Sequence, residues 1–176
     1  MWGSGLATRI VPQLVRTSAL PRATLDRIPT LPPWGCCCER KRAMLATIER
    51  VHGRAPGGRT FEMYAYARGV DMFVSGHVRS HGCFECGLSR IIAGALAKHA
   101  NATFVDIGAN IGVHTLAVAA STPSVKVIAF EAAPRHLALL QESVRLNGFL
   151  QRVTIHATAL GATIGSVRLG ENGQNQ

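Results

Sequence analysis

Residues 103–120, TFVDIGANIGVHTLAVAA, constrain the fold more than any other part of this sequence. The apolar residues 104–105 favour a β-strand, the glycine-containing residues 108–112 favour a tight loop, and residues 113–120 favour a helix. A helix that starts directly after such a loop presents unpaired N–H groups and a partial positive charge of about half a unit. The segment therefore predicts a strand–loop–helix unit whose loop holds an anionic group of a ligand.

The spacing of the loop residues favours one kind of ligand over another. A dinucleotide fingerprint GxGxxG that starts at Gly108 needs glycine where the chain has Asn110 and Val113. An NAD-binding Rossmann protein is therefore disfavoured. The pattern instead has an acid two residues before the first glycine, Asp106-x-Gly108, followed by Gly112. This spacing places a carboxylate at the end of the strand, facing the ligand.

A second acid follows the next predicted strand. Residues 125–131, VKVIAFE, form a nearly continuous apolar run that ends at Glu131, as expected for a strand covered on both faces. In a right-handed βαβ unit the carboxyl ends of neighbouring strands meet at one edge of the sheet. A carboxylate there can accept hydrogen bonds from two ribose hydroxyls. A surface acid at a strand end is the alternative interpretation.

The string FVDIGANIG resembles motif I of the class I S-adenosylmethionine (SAM)-dependent methyltransferases, and its DxGANxG form is similar to the FkbM family in particular. FkbM-type proteins often carry a Gly-x-aromatic-Glu string before the preceding helix, and Gly82, Phe84 and Glu85 fit it. A glutamate that interacts favourably with the dipole of that helix is the alternative interpretation of Glu85. The resemblance implies SAM as cofactor. It also implies a set of SAM-binding residues, with secondary roles for the last two: Asp106, Gly108, Ala109, Asn110, Gly112, Glu131, Glu85 and His114.

The family resemblance also implies a reaction. It predicts transfer of the SAM methyl group to a hydroxyl on a sugar or other small-molecule acceptor, with no catalytic base identified. His114 is a conceivable neighbour of the reacting atoms, and a histidine that packs on the helix face is the alternative. A non-catalytic or incomplete methyltransferase remains open as a second function, and an RNA methyltransferase as a third.

The resemblance covers about residues 60–170 and matches the N-terminal portion of the family domain. We therefore expect an α/β fold, a Rossmann-like class I methyltransferase sheet that is truncated after about three core parallel strands. The predicted organisation has a disordered leader over 1–35, a basic helix and linker over 36–59, and a partial methyltransferase domain over 60–176. Either the chain is a fragment or a partner completes the sheet.

The charge distribution argues against nucleic acid as the partner. The chain has a net charge of +9, but residues 1–70 hold 11 Lys and Arg against 4 Asp and Glu, and the remainder is nearly neutral. The ligand-binding part therefore lacks the basic surface that follows a phosphate backbone. The whole chain, with 47% hydrophobic and 16% charged residues, has the composition of a globular protein.

The first 25 residues contain three arginines, several Ser and Thr, and no acid, a composition typical of mitochondrial or plastid transit peptides. An unstructured basic tail in a cytoplasmic protein is the alternative. No apolar run approaches the roughly 18 residues of a membrane span.

The five cysteines form an odd set with three in succession, so we expect reduced thiols and no disulfide framework. A zinc site shared by the Cys83-x-x-Cys86 pair and residues 36–38 is disfavoured because the usual second CxxC pair is missing. We therefore expect no metal.

Apolar periodicity and turn residues predict the remaining elements. They are a helix over 39–51, strands over 60–68 and 70–74, a helix over 88–99, a helix over 134–147, a strand over 153–158 and a short strand over 166–169.

Overall fold

The computed structural model describes residues 14–16, 47–99, 101–166 and 169. It is an α/β structure with seven strands and four α-helices in these ranges. In chain order the elements are β1 (Leu14–Arg16), β2 (Ile48–Arg54), β3 (Thr60–Tyr66), α1 (Val74–His81), α2 (Cys86–Leu96), β4 (Thr103–Ile107), α3 (Val113–Ser121), β5 (Lys126–Phe130), α4 (Pro134–Leu146), β6 (Val153–His156) and β7 (Thr158–Leu160).

The centre of the fold is a three-stranded parallel sheet in the order β4-β5-β6. Phe104 pairs with Val127, and Val127 pairs with Val153, so the three strands are in register at one level. Helices α3 and α4 connect successive strands. This arrangement confirms the predicted α/β class and is consistent with a Rossmann-like fold.

The core lies between this sheet and the helices. Helix α3 is buried along almost its whole length because it packs against α2, the β2–β3 hairpin and the sheet. Helix α4 buries Leu137, Leu140 and Val144, the face that its sequence predicts. No helix in the described ranges has both the length and the apolar character that crossing a membrane requires.

An antiparallel hairpin of β2 and β3 covers α4. Its register runs from Ile48 opposite Tyr66 to Arg54 opposite Thr60. At the C-terminal end of α4, the Asn147 side chain accepts a hydrogen bond from the Glu62 N–H at 3.0 Å and donates to the Glu62 carbonyl at 2.6 Å. The hairpin is thereby tied to the helix that follows the central strand.

The hairpin corrects one sequence prediction. The helix expected over 39–51 is wrong for residues 48–51, which belong to β2, while residues 39–46 lie outside the described part. Residues 48–51 favour a helix locally, but seven cross-strand pairs with β3 outweigh that preference. The strand predicted over 60–68 is confirmed as Thr60–Tyr66.

A second correction concerns residues 70–74, which form turns and the start of α1 rather than a strand. The Asp71 carboxylate accepts hydrogen bonds from the Phe73 N–H at 3.0 Å and the Ser75 N–H at 2.8 Å. An acid that binds the N–H groups that follow it favours a helix start over a strand.

The C-terminal predictions have mixed outcomes. The helix predicted over 88–99 is confirmed as Cys86–Leu96, and the strand predicted over 153–158 divides into β6 and β7. Residues 166 and 169 are not in a strand, and residues 167–168 lie outside the described part. Strand β7 pairs antiparallel with β1, which falls within the predicted leader. The rest of residues 1–35 lies outside the described ranges.

Candidate functional site

The loop between β4 and α3 closes tightly onto the end of the neighbouring strand. The N–H groups of Gly108 and Ala109 both donate to the Phe130 carbonyl, each at 2.9 Å. Gly108, Asn110 and Gly112 all have a positive φ, at 78°, 53° and 94°. Glycine is therefore required at two loop positions, and asparagine is one of the few other residues that adopt this conformation readily.

The loop leads directly into α3, as the sequence predicts. Gly112 is the residue before the helix and has no side chain to cap it, whereas the Asp106 carboxylate interacts with the Thr115 N–H in the first turn. The first N–H groups of a helix lack partners within the helix. Beside the Thr115 N–H that faces Asp106, the N–H groups of Val113 and His114 at this end of α3 suit an anionic ligand group.

Asp106 lies at the carboxyl end of β4, beneath the loop. Its carboxylate accepts a hydrogen bond from the Thr115 hydroxyl at 2.6 Å. Burial raises the pKa of this carboxyl above its ordinary value, and the nearby Glu131 charge adds to the increase. The Thr115 hydrogen bond and the neighbouring His114 oppose it. Asp106 is therefore a carboxyl group in a partly dehydrated position.

We expect the Asp106 carboxyl to make stability depend on pH. The unfolded chain titrates near the ordinary pKa of 3.8, whereas the folded protein keeps its proton to higher pH. In the window between the two pKa values the folded state binds more protons, so the free energy of unfolding falls as pH rises. Urea unfolding of the wild type and Asp106→Asn from about pH 3 to 7 measures this fall. Equal pH slopes in the two proteins would contradict the prediction.

Glu131 follows β5, and its buried carboxylate holds the loop from behind. One oxygen accepts a hydrogen bond from the Asn110 N–H at 2.7 Å, and the other accepts from the Ala133 N–H at 2.7 Å. The ring of His136 lies beside it, with 3.8 Å between Nδ1 and Oε1. A carboxylate has about four acceptor positions. Two remain after these backbone bonds.

Tyr66 lies next to this group, with its ring against His136 at 5.9 Å between centroids. Burial raises the pKa of Tyr66 to about 12; Arg135 opposes the increase, and the carboxylates of Asp71 and Glu131 add to it. Burial, and to a smaller extent these carboxylates, disfavour a tyrosinate.

The Tyr66 prediction can be tested in a chain with one tyrosine. The sequence has two tyrosines, so Tyr64→Phe leaves Tyr66 as the sole phenol. We expect tyrosinate absorbance to appear with a midpoint near 12 rather than 10.0. Because the folded pKa exceeds the unfolded one, this group's contribution to stability is full below pH 10.0 and is lost as pH rises toward 12. A midpoint near 10.0 would mean that the Tyr66 ring is not buried.

Glu85 and His114 meet on the other side of the loop. The Glu85 carboxylate lies 3.4 Å from Nε2 of His114, and the Ser89 hydroxyl lies 3.2 Å from Nδ1. The Phe84 ring also contacts His114, with 6.4 Å between centroids. The Glu85 side chain is 54% exposed. The histidine ring is held at both nitrogens.

A cleft of about 340 Å³ connects these groups. Its wall combines apolar side chains with two carboxylates and one imidazole, and none of the described residues lining it is Lys or Arg. Glu131 is not among the residues that line the cleft, and its buried carboxylate supports the loop through the Asn110 N–H. The lining residues are Val74, Phe84, Glu85, Leu88, Ile92, Phe104, Asp106, Ile107, Gly108, Ala109, Asn110, Val113 and His114.

A larger groove, of about 580 Å³, lies between the hairpin and α1 and includes His52, Arg54 and Arg79. None of the predicted site residues lines it. Arg79 is already bound to Glu49 and to the Tyr66 carbonyl. We therefore assign the candidate site to the smaller cleft, where the loop and the acids converge.

Two polar residues of the site were missed by sequence reasoning. Thr115 binds Asp106, and Ser89 binds His114. Thr115 could have been found, since it lies in the first turn of α3, three residues after Gly112. Ser89 had no comparable signal because its contact depends on the packing of α2 against α3.

The cysteine prediction requires a correction. Cys83 and Cys86 form a disulfide, so the expected reduced state is wrong for this pair. Their spacing of three residues allows the two sulfurs to meet at the start of α2. Cys36, Cys37 and Cys38 lie outside the described ranges. Within those ranges, no group of three or more His, Cys, Asp or Glu could hold a metal ion.

Comparisons with known proteins leave the family assignment open. No protein-family model matches the chain, and no curated protein matches it. Among solved structures, the chain is similar to a Pyrococcus horikoshii protein named "putative transferase", with 22% identity and a TM-score of 0.40. The match covers 65% of this chain and 37% of that one. The FkbM resemblance and the SAM site therefore stay predictions.

Proposed function

We propose that this chain provides the SAM-binding part of a methyltransferase of the FkbM type. The observation that carries the proposal is the contact between Glu131 and the loop, in which the carboxylate accepts the Asn110 N–H at 2.7 Å. Asp106, the glycine loop and Glu131 are separated in sequence but converge at one end of the parallel sheet. This convergence is what a class I methyltransferase site requires of those positions.

The charges of the cleft favour SAM over a dinucleotide. SAM carries a sulfonium and an ammonium group, whereas the pyrophosphate of NAD is doubly anionic. The charged side chains of the cleft are the carboxylates of Glu85 and Asp106 together with His114. Opposite charges attract and like charges repel within a partly dehydrated cleft. A cationic ligand therefore fits these residues better.

Each predicted residue has a role in the proposed complex. Gly108, Ala109, Asn110 and Gly112 form the loop around the methionine part, where the start of α3 suits its carboxylate. Glu131 lies outside the cleft wall next to Asn110, and its remaining acceptor positions would serve the ribose hydroxyls of a ligand that extends past the loop. Asp106 holds the first turn of α3 through Thr115 and would bind polar groups of the ligand, and Glu85, which contacts His114, suits the ammonium group. Bound SAM would supply an activated methyl group for transfer to a nucleophile.

We further propose a small hydroxyl compound, such as a sugar, as the acceptor. Without Lys or Arg among its described lining residues, the cleft offers no charge partner for a nucleic-acid phosphate. The apolar wall formed by Phe84, Leu88 and Ile92 would exclude water near the transferred methyl group. Positioning of the two reactants accounts for most of the rate in such a reaction.

Isothermal titration calorimetry tests the proposal with SAM, S-adenosylhomocysteine and NAD as separate ligands. We expect SAM and S-adenosylhomocysteine to bind with Kd values in the micromolar range, about −8 kcal/mol, and NAD to bind at least about tenfold more weakly. Binding of NAD without binding of SAM would overturn the assignment. The heat of binding requires no acceptor, so the test does not depend on knowing the methylated compound.

A further inference from the structure

The disulfide of Cys83 and Cys86 encloses two residues of the cleft. Phe84 and Glu85 lie between the cysteines, and both line the cleft beside His114. The disulfide ring therefore contains Glu85, whose carboxylate contacts the His114 imidazole, and Phe84, whose side chain packs against the same imidazole. No other described disulfide borders the site.

Glu85 adopts a backbone conformation that such a ring helps to maintain. Its φ of 46° and ψ of 54° are left-handed, which a residue with a side chain rarely adopts. Glu85 also precedes α2 without a side-chain cap, and its carbonyl accepts the Ser89 N–H at 3.1 Å. If the ring opens, Glu85 can return to a more favourable conformation, and its carboxylate then leaves His114.

The surroundings of the disulfide would remain folded when it opens. Gly82 directly precedes Cys83. Its N–H donates to the Val78 carbonyl at 2.7 Å, and its carbonyl accepts a hydrogen bond from the Arg54 backbone N–H. A disulfide that closes a loop this short stabilises the folded state less than one closing a long loop. Both cysteine residues are half-buried, and the contact between the Cys83 sulfur and the His81 carbonyl is exposed, so a reductant can approach that sulfur.

We propose that Cys83 and Cys86 form a reversible thiol–disulfide exchange site whose redox state sets the position of Glu85 in the cleft. The co-reactant is a small or protein dithiol. Its thiolate attacks the Cys83 sulfur, the bond between the cysteines breaks, and Cys86 leaves as a thiolate that takes up a proton. The second thiol of the reductant then displaces Cys83 as a thiol. The protein gains two electrons and two protons, and the dithiol becomes a disulfide.

The start of α2 suits this exchange. Cys86 is the first residue of an 11-residue helix. A sulfur at a helix N-terminus is a good leaving group because the partial positive charge there stabilises the negative charge that develops on it. The site therefore combines an accessible disulfide, a favourable leaving group and a neighbouring residue that moves with the ring.

Hydrogen exchange tests the proposal without any ligand. The protein would carry Cys36→Ser, Cys37→Ser and Cys38→Ser, which leaves Cys83 and Cys86 as the remaining cysteines of the five. With dithiothreitol we expect two titratable thiols and about tenfold faster exchange of the Ser89 amide, with both changes reversed by oxidised dithiothreitol. The Leu116 amide in the core of α3 is the internal control and should not change.

A further variant with Cys83→Ser and Cys86→Ser provides the matched control. Its Ser89 amide should exchange at the rate of the reduced protein and should not respond to dithiothreitol. Equal Ser89 exchange in the oxidised and reduced proteins, or failure of the disulfide to re-form, would overturn the proposal.

The expected effect of disulfide reduction on SAM affinity also depends on the proposed SAM-binding function. Reduction should remove the proposed contact between Glu85 and the SAM ammonium group and so weaken SAM binding by about threefold. If neither form binds SAM, the methyltransferase proposal fails, whereas the exchange rates still decide the redox site. If the oxidised form binds SAM and reduction changes neither the affinity nor the exchange rates, the redox proposal fails alone.

Discussion

Gly112→Ala should lower the free energy of unfolding by about 2–5 kcal/mol. Two costs add: a left-handed conformation costs a residue with a Cβ about 1–2 kcal/mol, and overpacking a core costs about 1–3 kcal/mol. Gly112 has a φ of +94°, and an added Cβ would lie 2.4 Å from Cδ1 of Leu140. Leu140 is fully buried, so its side chain has little room to move away. Urea unfolding followed by circular dichroism measures the change.

Gly108→Ala is the matched control for this effect. Gly108 has a similar φ of +78°, but an added Cβ would meet nothing within 4 Å. This variant should therefore show the conformational cost alone, about 1–2 kcal/mol. Equal losses in the two variants would mean that Leu140 moves aside freely, and that the close approach of α4 to the loop does not require glycine.

Glu131→Ala should have the second large effect, on both stability and ligand binding. The substitution leaves the Asn110 and Ala133 N–H groups without their acceptor. Hydrogen bonds to a charged group contribute about 1.5–3 kcal/mol each, so the loss of two lowers the free energy of unfolding by about 3–6 kcal/mol. If the protein binds SAM as proposed, SAM affinity should also fall by about tenfold or more, because the ribose hydroxyls lose the Glu131 carboxylate that accepts their hydrogen bonds.

Glu142→Gln separates these two effects. Glu142 is also a buried glutamate, but its carboxylate binds Arg145 at 2.8 Å and has no described contact with the loop. We expect this variant to lose stability and to keep its SAM affinity when measured below its unfolding temperature. If Glu131→Ala leaves SAM affinity unchanged, the proposed ribose contact is wrong. If Glu142→Gln weakens SAM binding as strongly, the effect of Glu131 is a general loss of stability.

Much of the site's framework was predictable because it depends on residues close together in sequence. The strand, loop and helix around Gly108 and Gly112 follow from apolar periodicity and from the backbone freedom of glycine. The convergence of Asp106 and Glu131 follows from the geometry of parallel strands joined by a helix. The sequence predicted only that Glu85 and His114 both lie near the SAM site. Their direct contact depends on how α2 packs against α3.

The predictions that failed concern segments whose structure depends on distant partners. Residues 48–51 favour a helix by themselves, yet they pair with β3 along the hairpin. Residues 70–74 resemble a strand in composition, yet Asp71 binds the N–H groups of Phe73 and Ser75 and starts a helix. In both cases hydrogen bonds to particular partners outweigh residue preferences worth at most about 1 kcal/mol each.

The sequence by itself determined the strand–loop–helix unit at residues 103–120, the parallel strand that follows it, and the two acids at the strand ends. Those features depend on residues that are close together in the chain, so their spacing can be read directly from the sequence. Only the tertiary structure decided that Glu131 supports the loop through the Asn110 N–H, and that a disulfide encloses Glu85 beside His114. These contacts depend on the packing of separate elements, because the energy of a hydrogen bond or ion pair varies steeply with distance and orientation.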